Sequence, residues 1–182
     1  MRKLSSWMAG LVVTMMVPAL AFGAFTKEGD AQASFLAVGP AGLKIEGKTS
    51  ELDVTEAEGK LRVGVALSNL DTGIGLRNKH MREKYLDVAK FPRAELLVDR
   101  ALLKLPADGS ESTGTAIGQM TIHGQTKPVT FQYSARRQGG VYAVAGSTRV
   151  NMKEFGVEVP TYLGVTVKPD VDVAVRFNAA ER

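Results

Sequence analysis

From Ser34 onward, apolar and polar residues alternate in short segments. Leu61, Val63, Val65 and Leu67 share one face of LRVGVAL, and Ala94, Leu96 and Val98 share one face of AELLV. Met120 aligns with Ile122, and Val129 aligns with Phe131 and Tyr133. Near the C-terminus Val171, Val173, Val175 and Phe177 fall on one side of VDVAVRF, with Asp172, Ala174 and Arg176 on the other. A period of two, rich in β-branched and aromatic residues, marks half-buried antiparallel strands. The segments SFLAV, LKIEGK and VYAVAGSTRV extend the pattern to about eight strands. Turn-forming pairs separate many of them: Gly39-Pro40, Glu58-Gly59, Gly124-Gln125 and Gly139-Gly140. The expected fold is all-β, an antiparallel barrel of about eight strands, because closure removes the exposed edges that an open sheet leaves.

One stretch breaks the alternation. In LRNKHMREKYLDVAK, from Leu76 to Lys90, Leu76, His80, Glu83 and Asp87 recur at three-to-four spacing, and Met81, Tyr85 and Leu86 form an apolar stripe on a neighbouring face. This predicts a short amphipathic helix across one barrel end, stopped by Phe91-Pro92. Lys153 to Pro169, rich in Gly, Pro, Tyr and Val, reads as a loop with room for a short strand.

The N-terminus has a different character. Met1-Arg2-Lys3 is basic, Leu4 to Leu20 is largely apolar, and Ala21 and Gly23 suit cleavage by signal peptidase after Gly23. The apolar run is short for a membrane span and is interrupted by Ser5, Ser6, Gly10 and Pro18. The chain therefore divides into a leader (1–23), an N-terminal extension (24–33) and one barrel domain (34–182). A periplasmic or secreted protein is expected.

Charge and composition narrow the partners. The net charge of +4 includes Arg2 and Lys3, and without them 21 basic residues face 19 acidic ones. No basic stripe interleaved with aromatics is present, so a nucleic-acid partner is not expected. With no cysteine there is no disulfide and no lipid-bearing thiol, and the fold depends on its core.

Candidate chemistry is sparse. His123 ends an apolar strand and is followed by Gly124 and Thr126-Lys127-Pro128, the composition of a hairpin. No Gly-x-Ser-x-Gly elbow and no cysteine supplies a nucleophile for it. His80 lies among charges in KHMREK, and no His-Glu-x-x-His or cysteine cluster accompanies the two histidines. GIGLRN, Gly73 to Asn78, lacks the third glycine and the βαβ setting of a dinucleotide fingerprint. MREKY reads as one solvated helix face. No catalytic residue, metal ligand or cofactor is expected. The barrel interior remains: a barrel of about eight strands either fills its centre with side chains or holds one small ligand. The alternating pattern leaves both open.

Several motifs, in order, resemble the YceI-like family, the lipocalin-like polyisoprenoid-binding proteins. They are GKTSELDV, then SNLDTGIGLRNKHMREKYLDVAKFPRAEL, then GQMTIHGQTKPV, then FGV near the C-terminus, spanning roughly Ser34 to Phe177. Asn78 stands where members often show Asp. The resemblance implies a lipocalin-like antiparallel barrel enclosing a long isoprenoid, such as a quinone-like or polyprenyl chain, and no enzymatic reaction. It also makes GQMTIHGQTKPV a hairpin signature with His123 at the turn. On this reading the inward residues that line an apolar tunnel are Leu61, Val63, Val65, Leu67, Leu96, Met120, Ile122, Phe131, Tyr133, Val171, Val173 and Val175. The partner is an isoprenoid or other long apolar lipid, with transient membrane contact. The alternative is a packed barrel serving as a structural or protein-interaction module.

Overall fold

The computed structural model describes residues 24–162 and 165–182. The leader expected over 1–23 lies outside the described residues. The strands are β1 (Phe25–Val38), β2 (Lys44–Thr49), β3 (Leu52–Ala57), β4 (Lys60–Ala66), β5 (Arg93–Asp99), β6 (Glu111–Ile122), β7 (Gln125–Gln138), β8 (Val141–Asn151), β9 (Thr161–Tyr162), β10 (Val165–Thr166) and β11 (Asp170–Glu181). One sheet runs β11-β8-β7-β6-β5-β4-β3-β1-β2, and β11 also pairs with β1, which closes the ring. Every pairing is antiparallel. The closed barrel has eight strands, because β2 and β3 lie end to end along β1: Ala33 faces Thr49, and Thr26 faces Thr55. The separate β9–β10 hairpin sits in the connection from β8 to β11.

The hairpins follow from backbone chemistry. Glu58-Gly59, His123-Gly124 and Gly139-Gly140 each place two successive residues at positive φ (53° and 73°, 50° and 72°, 59° and 80°). Two such residues give the turn whose twist matches the right-handed twist of the flanking strands. The β6–β7 turn is thus His123-Gly124 rather than Gly124-Gln125, and Gln125 already pairs with Ile122.

Three sequence expectations need correction. Residues 25–33 are not an extension but the first half of β1, paired with β11 from Phe25↔Glu181 onward. Lys27, Glu28 and Asp30 hide the strand's alternation, and the register slips between Glu28 and Ala31, around Gly29 at φ 61°. The strand β3 falls outside the segments expected from the pattern, because Glu56 occupies an inward position that should be apolar. The helix is shorter than Leu76–Lys90. It comprises α1 (Gly75–His80) and one wider turn (Met81–Tyr85), in which the Leu86 N–H donates to the Met81 carbonyl. Asp87 then takes a φ of 43°, and its carbonyl accepts from the N–H groups of Lys90 and Phe91. That tight turn redirects the chain into β5 before a further helical turn can form.

Two ends can be distinguished. The β3–β4 and β7–β8 hairpins and both ends of the described chain lie at one, the hairpin end. The long connections 67–92 and 152–169 lie at the other, the helix end.

Candidate ligand-binding site

The buried side chains do not form one continuous core. They gather in three groups: Phe25, Val54, Tyr142 and Phe177 toward the hairpin end, Met120, Val150, Phe155 and Val171 toward the helix end, and Val98, Phe131 and Tyr133 along one wall. Between them lies a cavity of about 980 Å³ bordered overwhelmingly by apolar side chains. That volume is at the top of the range usual for small-molecule sites. The pleat explains the lining: odd-numbered residues of β4 and β11 point inward, so Leu61, Val63, Val65, Val171, Val173, Val175 and Phe177 all border the space. On the opposite side of β11, Asp172 accepts two hydrogen bonds from Arg149 at 2.6 and 3.0 Å. The Arg149 guanidinium holds the Asp172 carboxyl below the usual carboxylate range.

The structure brings together at the cavity all twelve residues expected on the inward face: Leu61, Val63, Val65, Leu67, Leu96, Met120, Ile122, Phe131, Tyr133, Val171, Val173 and Val175. Leu61, Val65, Leu96, Ile122, Val173 and Val175 are only half-buried although they face the inside of a closed barrel. Their remaining exposure is toward the cavity, which a packed interior would have covered.

Other lining residues escaped the alternation because they lie outside regular strands or carry charge. Phe155, 1% exposed, and Val157 come from the short turn after β8, the FGV motif. Leu43, Ile74, Leu76, His80, Tyr85 and Leu86 border the helix end. At the hairpin end Arg100 reaches the cavity and lies over the Phe25 ring, 4.8 Å from its centroid. Its guanidinium donates to both Glu56 carboxylate oxygens, at 3.2 and 3.0 Å, and to Glu181. The Phe25 ring meets Tyr142 edge-on at 5.0 Å. Burial pushes the Tyr142 hydroxyl above its ordinary pKa, with the Glu181 carboxylate adding to the effect. This end is therefore a floor of aromatic rings and neutralised charge.

At the helix end a polar staple fixes the helical segment. Asn78 Oδ1 accepts from the Thr72 N–H at 2.8 Å and from its hydroxyl at 2.6 Å, while Asn78 Nδ2 donates to Asp71 Oδ1 at 2.6 Å. Arg77 donates to the Thr72 hydroxyl and carbonyl, and Arg82 to the Leu70 carbonyl. The Gly73 N–H, with the Asn78 amide, holds the Asp71 carboxyl below the usual range.

The two histidines are placed apart in role. His80 borders the cavity at the helix end. His123 is the first residue of the β6–β7 turn, and its ring packs on Phe91 with centroids 4.6 Å apart. It does not border the cavity.

The comparisons agree with this architecture. The sequence pattern of the YceI-like domain matches residues 27–179. A UPF0312 protein of Pseudomonas savastanoi pv. phaseolicola is 30% identical over 131 residues, covering 68% of this chain and 66% of the relative. A UPF0312 protein of Yersinia pestis is 33% identical over 117 residues, covering 62% of this chain and 58% of the relative. The chain thus spans less than two thirds of the length of these curated relatives, 66% of the first and 58% of the second. Among solved structures, a polyisoprenoid binding domain from Saccharophagus degradans, implicated in plant cell wall breakdown, superposes with a TM-score of 0.73 at 15% identity, over 88% of this chain and 99% of that one. BcnA of Burkholderia cenocepacia superposes with a TM-score of 0.66 at 17% identity, over 82% and 96%. At those identities the superpositions speak for the fold, while the domain match spans most of the sequence: the chain belongs to the YceI-like family.

Proposed function

We propose that this protein binds a long isoprenoid, a quinone-like or polyprenyl chain, inside its barrel and carries or sequesters it outside the cytoplasm. The observation that carries the reading is the apolar cavity of about 980 Å³ running between the helix end and the Phe25–Tyr142 floor. The mechanism is transfer rather than chemical reaction. An isoprene unit has about five carbons, and burying one is worth roughly 2–4 kcal/mol gross. Lost translational and rotational freedom opposes this by about 4–15 kcal/mol in total. Several units therefore bind well without a strong polar contact, and the predominantly apolar walls suit a hydrocarbon of repeating units. The relative named for polyisoprenoid binding supports the ligand class.

The test is mass spectrometry of an organic extract of the protein purified from its native host. An isoprenoid at near-stoichiometric amount is the expected result, and an extract without lipid contradicts the reading. Export rests on the basic start, the apolar run and Ala21-Phe22-Gly23. The intact mass of the native protein should begin at Ala24, and a mass that includes Met1 to Gly23 contradicts export with cleavage.

A further inference from the structure

We propose that the helix end of the barrel docks on an anionic phospholipid surface, so that the cavity opens toward a bilayer; this rests on reading the cavity as an isoprenoid site. Among the described residues, five large hydrophobic side chains stand more than half exposed. Two, Leu102 and Ile117, lie away from the cavity. The other three, Leu43, Ile74 and Leu76, are 54%, 52% and 60% exposed, and all three border it. They come from separate connections: Leu43 from the turn between β1 and β2, Ile74 and Leu76 from the start of α1. A lone exposed leucine is ordinary on a soluble protein, but three converging on one opening form an interaction surface.

The charge beside this patch selects the partner. In GLRNKHMREKY, Gly75 to Tyr85, four basic side chains (Arg77, Lys79, Arg82, Lys84) stand against one acidic one, Glu83. Arg77 and Arg82 are held in place by the Thr72 and Leu70 carbonyls, which fixes their position and leaves their charge. Lys79 is exposed, and so is Lys44, next to Leu43. The nearby carboxylates keep their charge but are outnumbered by the basic side chains. Asp71 accepts from Gly73 and Asn78, and Glu46 lies 3.5 Å from Lys48. Glu158 reaches Lys84 only at 4.0 Å, with both side chains well exposed. Apolar side chains beside basic ones fit the boundary between acyl chains and anionic headgroups. The ligand chemistry points the same way: a hydrocarbon chain is soluble in a bilayer and not in water, so a mouth resting on lipid spares it an aqueous path.

The test is flotation of the purified protein with vesicles of phosphatidylcholine containing phosphatidylglycerol, against vesicles of phosphatidylcholine alone. Binding to the anionic vesicles at low salt, falling as salt rises, is the expected result. The variant I74E/L76E should reduce that binding at least tenfold with circular dichroism and Tm preserved. The variant K44E/K79E, which alters charge away from the cavity lining, should abolish the preference for anionic vesicles. Failure of the parent protein to float with anionic vesicles overturns the proposal, as does undiminished binding by I74E/L76E. Self-association by analytical ultracentrifugation that I74E/L76E abolishes, without any vesicle binding, would assign the patch to a second copy instead and equally overturn it. Lipid content is read independently: an empty extract from a protein that still floats removes the isoprenoid reading and leaves the docking surface standing.

Discussion

The ring of Phe91 packs against the ring of His123, centroids 4.6 Å apart, at the tip of the β6–β7 hairpin. Phe91 closes the turn that ends the helical segment, so this contact ties the segment covering the barrel end to a hairpin of the wall. The same ring explains Gly124, where a Cβ would come within 2.5 Å of it. His123 itself sits at φ 50°, a conformation that Asn tolerates and β-branched residues resist. His123→Asn keeps the backbone conformation and should cost only the ring contact with Phe91, about 0.5–1 kcal/mol, while His123→Val loses the contact and also strains the turn, adding about 1–2 kcal/mol in urea unfolding. Neither should change the amount of bound lipid, since His123 does not border the cavity. Loss of lipid from a folded His123→Asn protein would contradict the turn assignment.

Asn78→Asp tests the staple at the helix end. An amide at this position can donate to Asp71, whereas a carboxylate cannot and repels it. In the parent, the Asp71 carboxyl is held below its ordinary range, so its contribution is present above that range and lost as pH falls through the lowered value. In the variant, two facing carboxylates compete, and protonating one relieves the repulsion. The Tm gap between parent and variant should be widest at about pH 7 and narrow toward about pH 4, near the ordinary carboxylate pKa. An equal gap at both values would contradict the account.

Arg100→Met tests the floor. The Arg100 side chain is 19% exposed and Glu56 only 8%, so the substitution leaves Glu56 and Glu181 facing each other with little solvent. Breaking such a pair from one side costs about 3 kcal/mol. Adding Glu56→Gln should restore part of the loss, because it removes the stranded charge. Denaturant unfolding of the parent and both variants measures this, and a single variant as stable as the parent would contradict it.

Much of the barrel was legible because its code is local. Alternation in VDVAVRF and LRVGVAL fixes which residues face inward, and paired turn residues fix hairpins such as Gly139-Gly140. What stayed hidden involves residues whose partners are distant in sequence. Glu56 looks like a surface residue until Arg100, 44 positions later, neutralises it inside. Residues 25–30 look like an extension until Glu181 and its neighbours supply the pairing. Whether the inward valines meet each other or surround a void is a matter of barrel geometry, which alternation does not encode. Phe155 and Ile74 reach the cavity from connections without strand periodicity, and only the family motifs that contain them, FGV and SNLDTGIGLRNKHMREKYLDVAKFPRAEL, gave any sign.

The most direct test of an open, chain-holding interior is Val173→Trp, read by bound lipid and Tm together. Val173 is half-buried, borders the cavity, and faces Phe35 and Thr148 on the neighbouring strands. An indole placed there occupies space that the chain would use. The account predicts that extracted isoprenoid falls sharply while circular dichroism stays β-like and the Tm of the lipid-free protein changes little. In a packed interior the same substitution overfills the core and typically costs about 1–3 kcal/mol. A lipid-free parent protein together with a clearly lower Tm for Val173→Trp would contradict the account.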